Sequence, residues 1–243
     1  MRFKKIAVAM FACLALGAFS ANVAQAEGVG WTIEGVQLAK NVHERIHCKK
    51  HENEKLIFHS TLLGAALTLE AEQVDCLEKA GVANEATIDN TTTPNHSEGV
   101  LTFTNVTVIE PKNCTVNGGE ITTAPLTDTV IMDPTAGSKT VYDKFFPEAA
   151  GGAFVTIKMA GELCSIKGAE APVKGTACGE AVHTVEGKFV ENLTGENRVV
   201  QTLLFGEPQQ TTGGCELKLG NAAAQLTGAV DNELASKKAF GSD

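Results

Sequence analysis

Four of the six histidines, His43, His47, His51 and His59, fall within 17 residues around Cys48. Imidazole nitrogens at that density could hold a metal ion, provided that the backbone converges them. On a helix, four-residue steps would stack His43, His47 and His51 along one face about 6 Å apart. On a strand the same steps leave about 13 Å between neighbours, and the cluster becomes a hydrated histidine and lysine surface. Val36, Ala39, Lys40 and His43 have roughly helical spacing, but the polarity of 35–51 favours strand or loop. His43, His47 and His51 are the candidate metal ligands on the helical geometry alone, and no cofactor is expected.

Other chemistry is sparse. None of the serines outside the first 26 residues (Ser60, Ser97, Ser138, Ser165, Ser236, Ser242) stands in a G-x-S-x-G elbow, which argues against a serine hydrolase. There is no glycine-rich phosphate loop, and no catalytic residue is assigned. Carboxylate pairs for glycoside chemistry stay open, because glutamates abound and only their separation in space would reveal a pair. Asp89-Asn90 and Asp231-Asn232-Glu233 could contribute to a calcium site, but turn-forming side chains account for them equally well. For ligand binding through aromatic rings the candidates are Trp31 and Tyr142, the latter within Tyr142-Asp143-Lys144-Phe145-Phe146. Sequons at Asn90, Asn95, Asn105, Asn113 and Asn192 read as strand and turn composition.

The elements that must position these groups begin after an export signal. Met1-Arg2-Phe3-Lys4-Lys5 is followed by an uncharged apolar run of 14 residues, Ile6 to Phe19, and then by Ala24-Gln25-Ala26. This is the shape of a secretory signal cleaved before Glu27, and the run is shorter than the roughly 20 residues of a membrane-spanning helix. The mature chain is then 27–243, with no transmembrane segment. Its cysteines, Cys48, Cys76, Cys114, Cys164, Cys178 and Cys215, form an even set without a C-x-x-C pair, as disulfides in an oxidising compartment would. Taking short closures first gives Cys48–Cys76, Cys164–Cys178 and Cys114–Cys215. Of 20 basic and 29 acidic residues, the loss of Arg2, Lys4 and Lys5 leaves 17 against 29, a net charge of about −12. That balance disfavours nucleic acid and anionic membrane surfaces as partners.

Alternation of apolar and polar residues recurs in Leu67-Thr68-Leu69-Glu70, Val155-Thr156-Ile157-Lys158-Met159 and Cys215-Glu216-Leu217-Lys218-Leu219, and turn residues separate such runs. The expected fold is all-β, an antiparallel β-sandwich or barrel stapled by disulfides. Asn117-Gly118 marks a tight turn. Between Leu101-Thr102-Phe103 and Val106-Thr107-Val108 the apolar parity changes, which predicts a β-bulge near Thr104-Asn105. Cys76, Cys114 and Cys215 are each followed five residues later by glycine, and Leu126-Thr127 and Leu226-Thr227 extend the echo. A single large β domain, with two similar halves joined near 147–153 as its variant, accommodates both observations.

The run Cys114 to Leu126, Tyr142-Asp143-Lys144-Phe145 and Leu226-Thr227-Gly228 resembles secreted β-rich proteins of environmental bacteria, a group without an assigned reaction or catalytic residues. That resemblance implies location and β character. The resulting expectation is a non-enzymatic secreted or cell-surface protein, with the periplasm as the alternative location. It would act by binding an extracellular partner or surface, or as an envelope or matrix component. A carbohydrate- or metal-binding module is the second expectation and a hydrolase the third.

Overall fold

In a computed structural model, the described residues are 30–77, 86–91, 96–133, 140–186, 188–191, 196–206 and 215–242; the stretch 1–26, expected to be an export signal, lies outside them. Among the described residues, twenty-one strands follow one another. The first seven are β1 (Trp31–Ile33), β2 (Val36–Gln37), β3 (Glu44–Lys50), β4 (Leu56–Leu62), β5 (Ala65–Ala71), β6 (Gln73–Leu77) and β7 (Thr87–Asp89). The next seven are β8 (His96–Thr104), β9 (Thr107–Glu110), β10 (Thr115–Val116), β11 (Ile121–Thr122), β12 (Leu126–Met132), β13 (Val141–Pro147) and β14 (Val155–Ala160). The last seven are β15 (Glu170–Gly175), β16 (Ala177–Val185), β17 (Lys188–Glu191), β18 (Val200–Phe205), β19 (Leu217–Leu219), β20 (Ala222–Leu234) and β21 (Phe240–Ser242).

Eight of these strands close a ring. β8 pairs with β12, β12 with β13, β13 with β16, β16 with β18, β18 with β20, β20 with β3, β3 with β7, and β7 again with β8, every ladder antiparallel. Closure satisfies the backbone groups that an open sheet leaves at its edges. Period-2 patterning then gives the ring an inside and an outside. Leu126 and Val130 on β12, Val141 and Phe145 on β13, and Leu203 and Phe205 on β18 share the inward parity. Gly179 on β16 fits there because a Cβ would lie 2.9 Å from Leu203 Cβ and 3.0 Å from Phe205 Cζ.

A second layer continues from the same long strand. The first half of β20 pairs with β19 and β4, and from these extend β19–β15–β14–β10 and β4–β5–β9. Its core holds Leu56, Leu67, Leu69, Ile157, Val173 and Leu219, each at most 3% exposed. Gly228 is the point at which β20 changes neighbours. Its φ of +116° suits glycine, and a Cβ would stand 2.3 Å from the Lys55 carbonyl oxygen. A three-stranded sheet, β2–β1–β21, packs Trp31, Leu38 and Phe240 with Ile88, Val130, Val141 and Leu234 of the ring, capping that end of its interior.

Three disulfides form, and two differ from the short-closure expectation. Cys48–Cys76 is as expected, whereas Cys114 pairs with Cys164 and Cys178 with Cys215. The ladders explain the correction. β10 lies on β14 at Thr115↔Ala160, bringing Cys114 to the turn that holds Cys164. β15 meets β19 at Gly175↔Leu217, so that 176–178 run beside 215–216. Between Cys164 and Cys178 stands β15 itself, about 20 Å of extended chain. The change of parity at 104–105 is also not a bulge. β8 ends there, Asn105 takes a φ of 52°, and β9 leaves to join β5. The 35–51 stretch carries β2 and β3 and no helix. The 147–153 stretch links β13 of the ring to β14 of the second layer, and strands from both sides of it contribute to each layer.

Candidate functional site

The ring encloses a cavity of about 90 Å³, and all eight of its strands contribute to the wall, among them Ile46 of β3, Ile88 of β7, Leu101 of β8, Val130 of β12, Ala181 of β16 and Leu203 of β18. Trp31 and Phe240 of the capping sheet close one end, their ring centroids 6.2 Å apart. The volume exceeds what a single water needs by several-fold, and the wall is mostly apolar. Polar residues interrupt it, among them Ser97, Asp128, Asp143, Gln201 and Asn232.

Asp128 and Asp143 form its chemical centre. Val130 stands opposite Asp143 and Asp128 opposite Phe145, so that the two carboxyls are diagonal neighbours on one face of adjacent strands. They are 4% and 7% exposed and hydrogen-bonded to each other. Ser97, directly across from Asp128 on β8, donates its hydroxyl to Asp128 Oδ2. Burial, with the neighbouring Asp128 adding to it, pushes Asp143 well above the usual carboxylate range. Asp143 therefore keeps its proton at a pH where an exposed aspartate has lost it. Its Oδ1 has no protein hydrogen-bond partner, although a buried oxygen of this kind ordinarily has one. Among the described residues, the ionisable side chains on the wall are Glu98, Asp128, Asp143 and Glu196, all acidic. Directly hydrogen-bonded carboxyls are closer than the roughly 5 Å or more that glycoside hydrolysis requires between acid and nucleophile or base. The pair is better suited to holding a donor group than to cleaving a sugar.

The residues singled out by type and spacing are dispersed. Trp31 is buried on the cavity wall, while Tyr142 faces away from it, packed on Cys178, Cys215 and Ile131. His43 sits 3.3 Å from Asp89, just before β3. His47 is exposed on the outer face of β3 opposite Glu233. His51 meets Asp231 Oδ1 at 2.8 Å and stacks at a tilt on Phe189, and His59 contacts Thr68 on the adjacent strand. Strand rise keeps His43, His47 and His51 about 13 Å apart in succession, and no group of three metal-ligating side chains occurs among the described residues. Of the acidic turn candidates, Asp89 accepts the Thr91 backbone N–H. Asp231 accepts the Thr202 hydroxyl at 2.8 Å. Asn90 has its side chain committed to Trp31 and Leu38, accepting one hydrogen bond and donating two.

Reading by motif passed over Asp128 and Gln201, took Asn232 only as part of a candidate calcium turn, and took Asp143 only as part of an aromatic stretch. A signal was nevertheless present. In Leu126-Thr127-Asp128-Thr129-Val130, Val141-Tyr142-Asp143-Lys144-Phe145, Gln201-Thr202-Leu203 and Val230-Asp231-Asn232-Glu233-Leu234, the site residue occupies the parity of the apolar positions. A polar side chain on the apolar parity of a strand is one that faces the core.

The chain matches no protein-family model, no curated protein and no solved structure.

Proposed function

We propose that the protein is a non-enzymatic binding protein of the cell exterior, secreted or held at the cell surface, that takes a small, largely apolar molecule into its eight-stranded barrel. The observation that carries this reading is the cavity of about 90 Å³ lined by all eight strands of the closed ring. Eight is the strand number at which a barrel interior either fills with side chains or holds one small ligand. An apolar wall with a few converging polar groups is the usual lining of a ligand site. The three disulfides fit an oxidising location, and no helix among the described residues is long and apolar enough to cross a membrane.

Trp31 supplies the test, because it is the only tryptophan in the chain and lies on the cavity wall. Titration with benzene or hexane is expected to change its emission saturably and to raise the melting temperature, as ligand binding to the folded state must. A Trp31→Phe variant should retain the thermal shift and lose the optical signal. Unchanged emission together with an unchanged melting temperature, across both probes, would remove the barrel interior as a binding site.

A further inference from the structure

The interior continues past the carboxyl pair. A void of about 40 Å³ lies at the waist between the layers, walled by the Cys48–Cys76 disulfide with Val74, Phe205 and Val230. Beyond it, a third void of about 60 Å³ sits in the second-layer core, among Leu69, Ile157, Val173 and Leu217. The polar cavity and the waist share Cys76, Leu101, Phe145, Leu203 and Asn232, and the waist and the third void share Leu56, Phe103 and Leu226. The three spaces thus lie in sequence, a single layer of side chains between neighbours, and polarity falls to nothing along them. The wall of the third void carries no charged or polar side chain among the described residues.

Resting on the barrel-binding reading above, we infer that the ligand is an elongated amphiphile, a straight alkyl chain bearing a hydroxyl or ammonium head. Its head would sit on the Asp128–Asp143 pair, and its tail would pass the waist into the second-layer core. Two independent features select that class. Asp143 lies on the cavity wall, and its buried Oδ1 has no hydrogen-bond partner, which calls for a donor on the ligand. The wall presents acidic and no basic side chains among the described residues, so a carboxylate or phosphate head would meet like charge without a counter-ion. The succession of apolar voids calls for a narrow chain rather than a compact ring system. Phe145 and Leu203 stand between the first two spaces, and Phe103 between the last two.

Calorimetry on the full mature chain with its disulfides intact, at neutral pH, tests this with straight-chain primary alcohols, alkylamines and alkanoates of four to twelve carbons (the probe range of the experiment, about 0.8 kcal/mol per methylene being the expected increment). Affinity for alcohols and amines should rise roughly fourfold per added methylene, and the alkanoate of equal length should bind at least about tenfold more weakly. Asp143→Asn should narrow that tenfold gap, with near-ultraviolet circular dichroism matching the parent as the check that the variant is folded. Equal affinity for alcohol and alkanoate, or affinity that stops rising at four or five carbons, would overturn the inference. Head-group indifference with hexane still binding would sink this inference and leave the barrel reading standing. If neither hexane nor benzene binds the unmodified protein, both fall.

Discussion

Asp143 is the residue at which sequence pattern, packing and chemistry meet. Its carboxyl is buried beside Asp128, and the burial first, then the neighbouring carboxyl, raises its affinity for a proton. The unfolded chain releases that proton near the ordinary aspartate value of roughly 3.9, whereas the folded chain retains it to higher pH. The stability this group contributes is therefore fully present below about pH 4 and is lost as pH rises through its raised folded value. Asp143→Asn, which never ionises, should be more stable than the parent at the alkaline end by on the order of 1–3 kcal/mol. The difference between the two melting curves should vanish as the pH approaches 4; parallel curves from acid to alkaline pH would contradict the assignment. His51 is held by Asp231, which also accepts the Thr202 hydroxyl. His51→Ala is expected to cost about 1–2 kcal/mol in urea unfolding, from the lost hydrogen bond and the lost Phe189 contact. A zinc titration of the same variant should match the parent. The histidines attract attention in the sequence because they are concentrated, yet the strand beneath them separates them. The carboxyl pair escapes notice because its two members are 15 positions apart and converge only once β12 and β13 pair.

At the scale of elements, the alternating runs at 67–70, 155–159 and 217–219 are legible as strands, because period-2 burial is local information. The order in which strands meet is not local. Nothing in the residues around β20 announces that one strand of thirteen residues serves two layers, except the glycine in its middle. Gly228→Ala should test that hinge. The variant must hold a β-carbon at a φ of +116° and 2.3 Å from the Lys55 oxygen, which is expected to cost about 3–5 kcal/mol in denaturant unfolding. A loss under 1 kcal/mol would mean that β20 does not turn there. The capping sheet depends on a different residue. Asn90 joins the backbone of Trp31 and Leu38 to the ring by three buried hydrogen bonds. Asn90→Ala is expected to lose about 2–4 kcal/mol and to shift Trp31 emission to the red as the cap loosens. An unshifted spectrum would show that the cap holds without this link. The same commitment of its amide leaves Asn90 unsuited to carrying a glycan, although it stands in a sequon.

For the molecule as a whole, the closed ring lines its interior with apolar positions and, on β3, exposes Arg45, His47 and Lys49 along the outer face. An outer-membrane barrel shows the reverse arrangement, with an apolar belt outside. The all-β class and the disulfide-bonded cysteines were readable from composition and spacing. The cysteine pairing was not, because ladders rather than chain separation decide which cysteines meet. A peptide map under non-reducing conditions should return Cys48–Cys76, Cys114–Cys164 and Cys178–Cys215, and a Cys164–Cys178 peptide would contradict the arrangement of β14, β15 and β19. The most direct test of a barrel that binds within itself is a methyl-resolved NMR titration with dodecanol. Methyl signals of the inward residues Val130, Val141 and Leu203 should shift together and saturate, while those of the exposed Val36, Val185 and Val199 stay in place. Shifts confined to the exposed valines, or no saturable shift at the inward three, would show that the interior is packing alone.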